Sequence, residues 1–115
     1  MLENYVITNG TIYTETGVIE HGHIEVAHGK IKHVSKGDYQ GQLPTIDAQF
    51  NHILPGFIDI HIHGGYGEDA MDASAKGLTH LATSLLAEGT TSFLATTMTQ
   101  SDDNVTQALK VIAQY

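Results

Sequence analysis

The sequence predicts an α/β chain in two parts: a sheet portion over residues 1–54, then a strand-helix-strand-helix segment over residues 55–115. Three observations carry that reading. Short runs of alternating apolar and polar residues fill the first half, separated by Gly, Asn and Asp turn positions. After Pro55-Gly56 the period changes, so that β-branched runs alternate with leucines at helical spacing. Finally, "FIDIHI" places isoleucines at 58, 60 and 62 and polar residues at 59, 61 and 63, which marks a strand with two unlike faces.

Taken in order, "YVITNGTIYT", "GVIEHGHIEVAHGKIKHVSKG" and "PTIDAQFNHIL" read as strands of a half-exposed antiparallel sheet. Asn9-Gly10 is the strongest two-residue hairpin signal, and His28-Gly29-Lys30 reads as a second turn. "GLTHLATSLLAEG" then predicts a helix with Leu78, Leu81, Leu85 and Leu86 on its apolar face, stopped by Gly89. "TTSFLATTM" predicts a buried strand in which Thr96, Thr97 and Thr99 close the run. A last helix follows, with Ser101 as N-cap, Asp102 and Asp103 at its positive end, and Val105, Leu109 and Ile112 as its stripe.

Strands that alternate with helices imply parallel pairing through right-handed crossovers, as in doubly wound sheets or (β/α)₈ barrels. Two such strands neither close an eight-stranded barrel nor cover both faces of a sheet, so the topology predicts further strands beyond Tyr115. A compact two-layer α+β domain is the alternative on topology alone.

Composition excludes several function classes. Thirteen carboxylates face five lysines and no arginine, for a formal charge of −8, which argues against nucleic-acid and acidic-membrane partners. No apolar run approaches the ~18 residues of a membrane span, and no signal peptide is visible. Without cysteine there is no disulfide and no thiolate site, so a metal would need nitrogen and oxygen ligands and a reducing cytoplasm is the default.

Chemistry concentrates on one strand. Asp59, His61 and His63 share a face, with helices expected over the isoleucines on the other. Burying two imidazoles and a carboxylate without partners costs several kcal/mol, so a partner is required. Two neutral imidazoles at a strand's C-terminal end can bind one divalent ion, and barrel active sites sit at that end. Asp59 fits a supporting role, either orienting an imidazole or structural, better than direct ligation. His21 and His23 repeat the His-x-His spacing, but Ile24 and Val26 hold the apolar parity there, so both are expected on the solvated side. His28, His33, His52 and His80 are isolated and receive no chemistry. Glu68, Asp69 and Asp72 in "GGYGEDAMD" read as solvated loop charges, the glycines there match no phosphate-binding fingerprint, and no serine lies in a nucleophile elbow.

At "LPGFIDIHIHGG" the chain resembles the amidohydrolase superfamily, whose first barrel strand carries Pro-Gly and then Asp-x-His-x-His. "HGGYGEDAMDAS" and "LLAEGTTSFLATTMT" are similar to its N-acetylglucosamine-6-phosphate deacetylase branch, and "GKIKHV" to that branch's N-terminal β-sandwich. The resemblance implies a β-sandwich portion over 1–54 and the first two βα units of a (β/α)₈ barrel over 55–115. It also implies a cytoplasmic homodimer that uses a divalent metal, zinc or iron, to remove acetate from a phosphorylated amino sugar. Within the resemblance His61 and His63 match metal positions, whereas the catalytic aspartate, the remaining ligands and the phosphate-binding residues belong to segments after Tyr115. No catalytic residue is therefore expected within this chain, and alone it is expected to be inactive. Another amidohydrolase, such as a dihydroorotase-like cyclic amidase, shares the strand motif. From a different class, a non-catalytic assembly module would expose a sheet edge and an apolar face and would self-associate.

Overall fold

The computed structural model describes residues 3–115, and the chain divides into two compact units, Met1–Pro55 and Gly56–Tyr115. The first unit is one five-stranded sheet. Strands β1 (Asn4–Thr14), β2 (Gly17–Ala27) and β3 (Lys30–Lys36) form an antiparallel meander, while β4 (Thr45–Asp47) and β5 (His52–Ile53) both run parallel to β1. The sheet is thus mixed, not antiparallel throughout. The cause lies after β3, where the chain crosses between Gly37 and Pro44 and enters beside β1 in β1's own direction, with the Val6 amide donating to the Pro44 carbonyl at 2.9 Å. The described residues of this unit make a single sheet, and the facing layer of a sandwich is not among them.

Turn chemistry was assigned correctly at one site and not at the other. His28 and Gly29, with φ of 51° and 71°, make the two-residue turn between β2 and β3. Asn9-Gly10 lies inside β1 instead, and the β1–β2 turn falls at Glu15-Thr16. Asn9 takes φ 56° at a β-bulge, where the register jumps between Ile7 and Gly10. A left-handed residue followed by glycine suits a bulge as well as a hairpin. Asn9 is then held by Asp47, whose Oδ1 accepts from Asn9 Nδ2 at 3.1 Å. The core of the unit is Ile12, Ile24 and Val26, flanked by Tyr5, Ile7, Ile19 and Ile53.

The second unit starts with β6 (Phe57–Ile62), which pairs in parallel with β9 (Thr90–Ala95). Between them lie a hairpin of β7 (Gly64–Gly65) and β8 (Glu68–Asp69), a 3₁₀ turn at Ala70–Asp72 and α1 (Ala75–Leu85). Ser74 caps α1 by accepting from the Gly77 amide at 3.0 Å. A second 3₁₀ turn, Leu86–Glu88, then ends at Gly89, whose φ of 81° is the left-handed stop read from the sequence. Helix α2 (Asp102–Gln114) carries its expected cap, Ser101 accepting from the Asn104 amide.

Two apolar faces differ from expectation. Leu78, Leu81 and Leu85 are buried, but Leu86 is 59% exposed because it starts the tighter 3₁₀ turn and leaves the stripe. On α2 the fully buried residue is Ala108, while Leu109 is exposed. Helix α1 also packs towards β9, with Leu78, Ala82 and Phe93 lining a shared groove with Ile112. The β6–β9 register pairs Asp59 with Phe93 and Ile58 with Ser92, so Ile58 lies on the face turned away from Phe93, and Ile58 and Ile60 are 67% and 74% exposed.

Leu81 is 1% exposed, so Leu81→Ala is expected to cost about 2–5 kcal/mol in urea unfolding. Leu86→Ala should cost under ~1 kcal/mol. Equal costs for the two would contradict this packing.

Candidate metal centre

His61 and His63 come together at the C-terminal end of β6. Their Nε2 atoms stand 3.2 Å apart, with ring centroids 5.0 Å apart and planes inclined at 79°. Period-two alternation brings them to one face, and β9 fixes the second of them. The Thr96 amide donates to the Ile62 carbonyl at 2.8 Å, and the Thr96 carbonyl accepts from His63 Nδ1 at 3.0 Å. A carbonyl can only accept, so Nδ1 carries the proton and, in the neutral ring, Nε2 presents a lone pair. His61 Nε2–H then completes the pair by donating to His63 Nε2 in the metal-free protein.

This donor set fits one divalent ion as a two-point ligand. On a tetrahedral zinc with Zn–N of about 2.0–2.1 Å, two imidazole nitrogens lie about 3.3 Å apart. The observed 3.2 Å is close to that spacing. Ligating histidines commonly donate their second nitrogen to a carbonyl or carboxylate, which is the part Thr96 plays for His63. Among the described residues no group of three or more His, Asp or Glu side chains is placed to hold a metal, so this pair is an incomplete cage by itself.

Asp59 sits on the same strand but acts on the backbone. Its Oδ1 accepts from the His61 amide at 2.9 Å, and the β6–β9 ladder is irregular between Asp59 and Ile62. The carboxylate thus takes an amide in the stretch where the ladder breaks, and shapes the strand that presents His61. Of the two supporting roles expected, the bond it makes is to the backbone and not to an imidazole.

Other histidines are employed differently. His23 is 8% exposed rather than solvated, because the crossover after β3 covers it. Its Nδ1 bonds the Gly37 carbonyl at 2.9 Å and its ring meets Tyr39 edge-on at 5.4 Å. His21 pairs with Asp38 at 2.7 Å, His28 with Glu3 at 2.6 Å, and His80 with Glu68 at 2.9 Å. Nor are the acidic residues of the loop free. Asp69 accepts from the Met71 amide and Asp72 from the Asp69 amide, a capping box around the 3₁₀ turn. Tyr66 donates to Glu88, whose carboxylate holds the phenol above its ordinary pKa range. Sequence reasoning missed Thr96, Glu68, His80 and Tyr66. Only Thr96 had a usable signal, as the first residue after the strand paired with the histidine strand.

Residues 52–114 match the amidohydrolase family. The chain belongs to that family. It is 46% identical over 113 residues to N-acetylglucosamine-6-phosphate deacetylase of Bacillus subtilis, covering 95% of this chain and 28% of that protein. The enzyme of the same name from Lysinibacillus sphaericus is 41% identical over 98 residues, covering 85% of this chain and 25% of that one. Among solved structures, N-acetylglucosamine-6-phosphate deacetylase from Pasteurella multocida superposes with a TM-score of 0.90 at 33% identity, over 97% of this chain and 30% of that one. The chain thus spans under a third of the length of each.

If the Thr96 carbonyl sets the His63 tautomer, nitrogen-15 NMR at alkaline pH should show His63 protonated at Nδ1. An Nε2–H signature would remove the claim that this lone pair is free for a metal.

Proposed function

We propose that this chain is part of an N-acetylglucosamine-6-phosphate deacetylase and contributes His61 and His63 as ligands of a divalent metal, zinc or iron. The observation that carries the reading is the 3.2 Å approach of the two Nε2 atoms, with His63 already fixed by a carbonyl. The high likeness to deacetylases of that name supplies the substrate class. In this reading β6 and β9 are the first two strands of a (β/α)₈ barrel, and the histidine face of β6 looks inward. Residues 1–54 belong to the sandwich portion. The exposed Ile58 and Ile60 would be covered by the rest of the enzyme, a cytoplasmic homodimer, and without that cover the chain self-associates.

A divalent ion bound here would supply a Lewis acid for the acetamide carbonyl and an activated water. The chain's own part is positional. His63 is aimed by Thr96, and His61 is held through its amide by Asp59. In this reading the catalytic residues lie outside this segment.

Zinc titrated calorimetrically into the chain should bind weakly, since two imidazoles fall short of the three or four protein ligands that hold zinc well. Binding should weaken further as pH falls and the imidazoles take up protons. The double variant His61→Ala, His63→Ala should give only heats of dilution; isotherms matching the wild type would end the proposal. The chain alone should release no acetate from N-acetylglucosamine 6-phosphate. The full-length gene product should release acetate from that sugar and leave dihydroorotate unopened, and the reverse preference would favour a cyclic amidase.

A further inference from the structure

The hairpin between His63 and α1 is fastened at three places. At its base, the Ala70 amide donates to the His63 carbonyl at 2.8 Å. On its second strand, Glu68 Oε1 accepts from His80 Nδ1 at 2.9 Å, which ties the hairpin to the middle of α1. At its tip, the Tyr66 hydroxyl donates to Glu88 in the 3₁₀ turn beyond α1. Gly77 makes the middle attachment possible, since a Cβ there would stand 2.6 Å from Glu68 Oε2. Gly65 lies directly over Leu81, where an added Cβ would meet Leu81 Cδ1 at 3.5 Å.

We propose that the Glu68–His80 and Tyr66–Glu88 pairs form a two-point latch that positions His63 as a metal ligand, with His80 and Tyr66 as its positioning residues. The inference rests on the metal reading above. Two-residue strands such as β7 and β8 are marginal alone, so the hairpin needs outside attachments to keep one geometry. His63 is the residue where that geometry matters most. Its carbonyl is tied to the hairpin and its ring to Thr96, so loosening the first lets the backbone under the ring drift. Both pairs are largely exposed, and exposed pairs add little to global stability. Removing them should therefore alter the ligand and leave the melting temperature nearly unchanged.

The test compares the wild-type chain with a double variant, Tyr66→Phe with His80→Ala, and with His80→Gln, whose amide can still donate to Glu68. Three readouts are taken: hydrogen exchange at the Ala70 amide, the nitrogen-15 signature of the His63 ring, and calorimetric zinc affinity. The double variant should exchange the Ala70 amide about ten-fold faster and bind zinc about ten-fold more weakly, the scale seen for residues that orient ligands. His80→Gln should retain wild-type behaviour in all three. Unchanged Ala70 exchange, unchanged zinc affinity despite faster exchange, or a glutamine variant as impaired as the double variant would each overturn the latch. If the double variant fails to fold, Tyr66→Phe alone carries the same expectations in smaller degree. Should the wild type bind no zinc, the metal reading falls, and Ala70 exchange together with the His63 ring signature still decides whether the latch holds that residue.

Discussion

The hydrogen bond from His63 Nδ1 to the Thr96 carbonyl does two jobs. It joins the ends of β6 and β9 just where their backbone ladder finishes, beside the Thr96 amide on Ile62. It also decides which nitrogen of His63 carries the proton, and hence which one faces His61. A backbone carbonyl is a dependable choice for the task, because its position is fixed by the fold and it has no protonation state to change. The site is thus built from strand pairing first and side chains second.

Around that bond the unit is arranged so that strand ends hold the two imidazoles and a stitched hairpin follows them. Asp59 takes the His61 amide within an irregular stretch of the ladder, and the hairpin after His63 is bonded back to the His63 carbonyl. The buried leucines of α1 support the hairpin from below, with Leu81 beneath Gly65. By contrast, Ile58 and Ile60 of β6 make no comparable use of their apolar surface and stay exposed.

What could be read from the sequence followed from periodicity. Alternation placed His61 and His63 on one face of a strand because side-chain direction depends only on parity, and helix caps at Ser101 and Gly89 have strong local chemistry. Non-local effects were harder. His23 is buried by Tyr39 and the crossover, a cover that parity along β2 cannot reveal. Asn9-Gly10 suits two different uses of a left-handed residue, and only the pairing partner selects the bulge. The burial of Ala108 in place of Leu109 depends on how closely α2 approaches its neighbours, and Thr96 acts through a backbone atom that every residue possesses.

The proposed metal centre requires both imidazoles to meet one ion. X-ray absorption at the zinc edge, on the chain loaded with a single equivalent, measures that directly. Two nitrogen scatterers at about 2.0–2.1 Å, with the outer-shell pattern of imidazole and the rest of the shell oxygen, is the predicted result. A spectrum of oxygen ligands with one imidazole or none would contradict it.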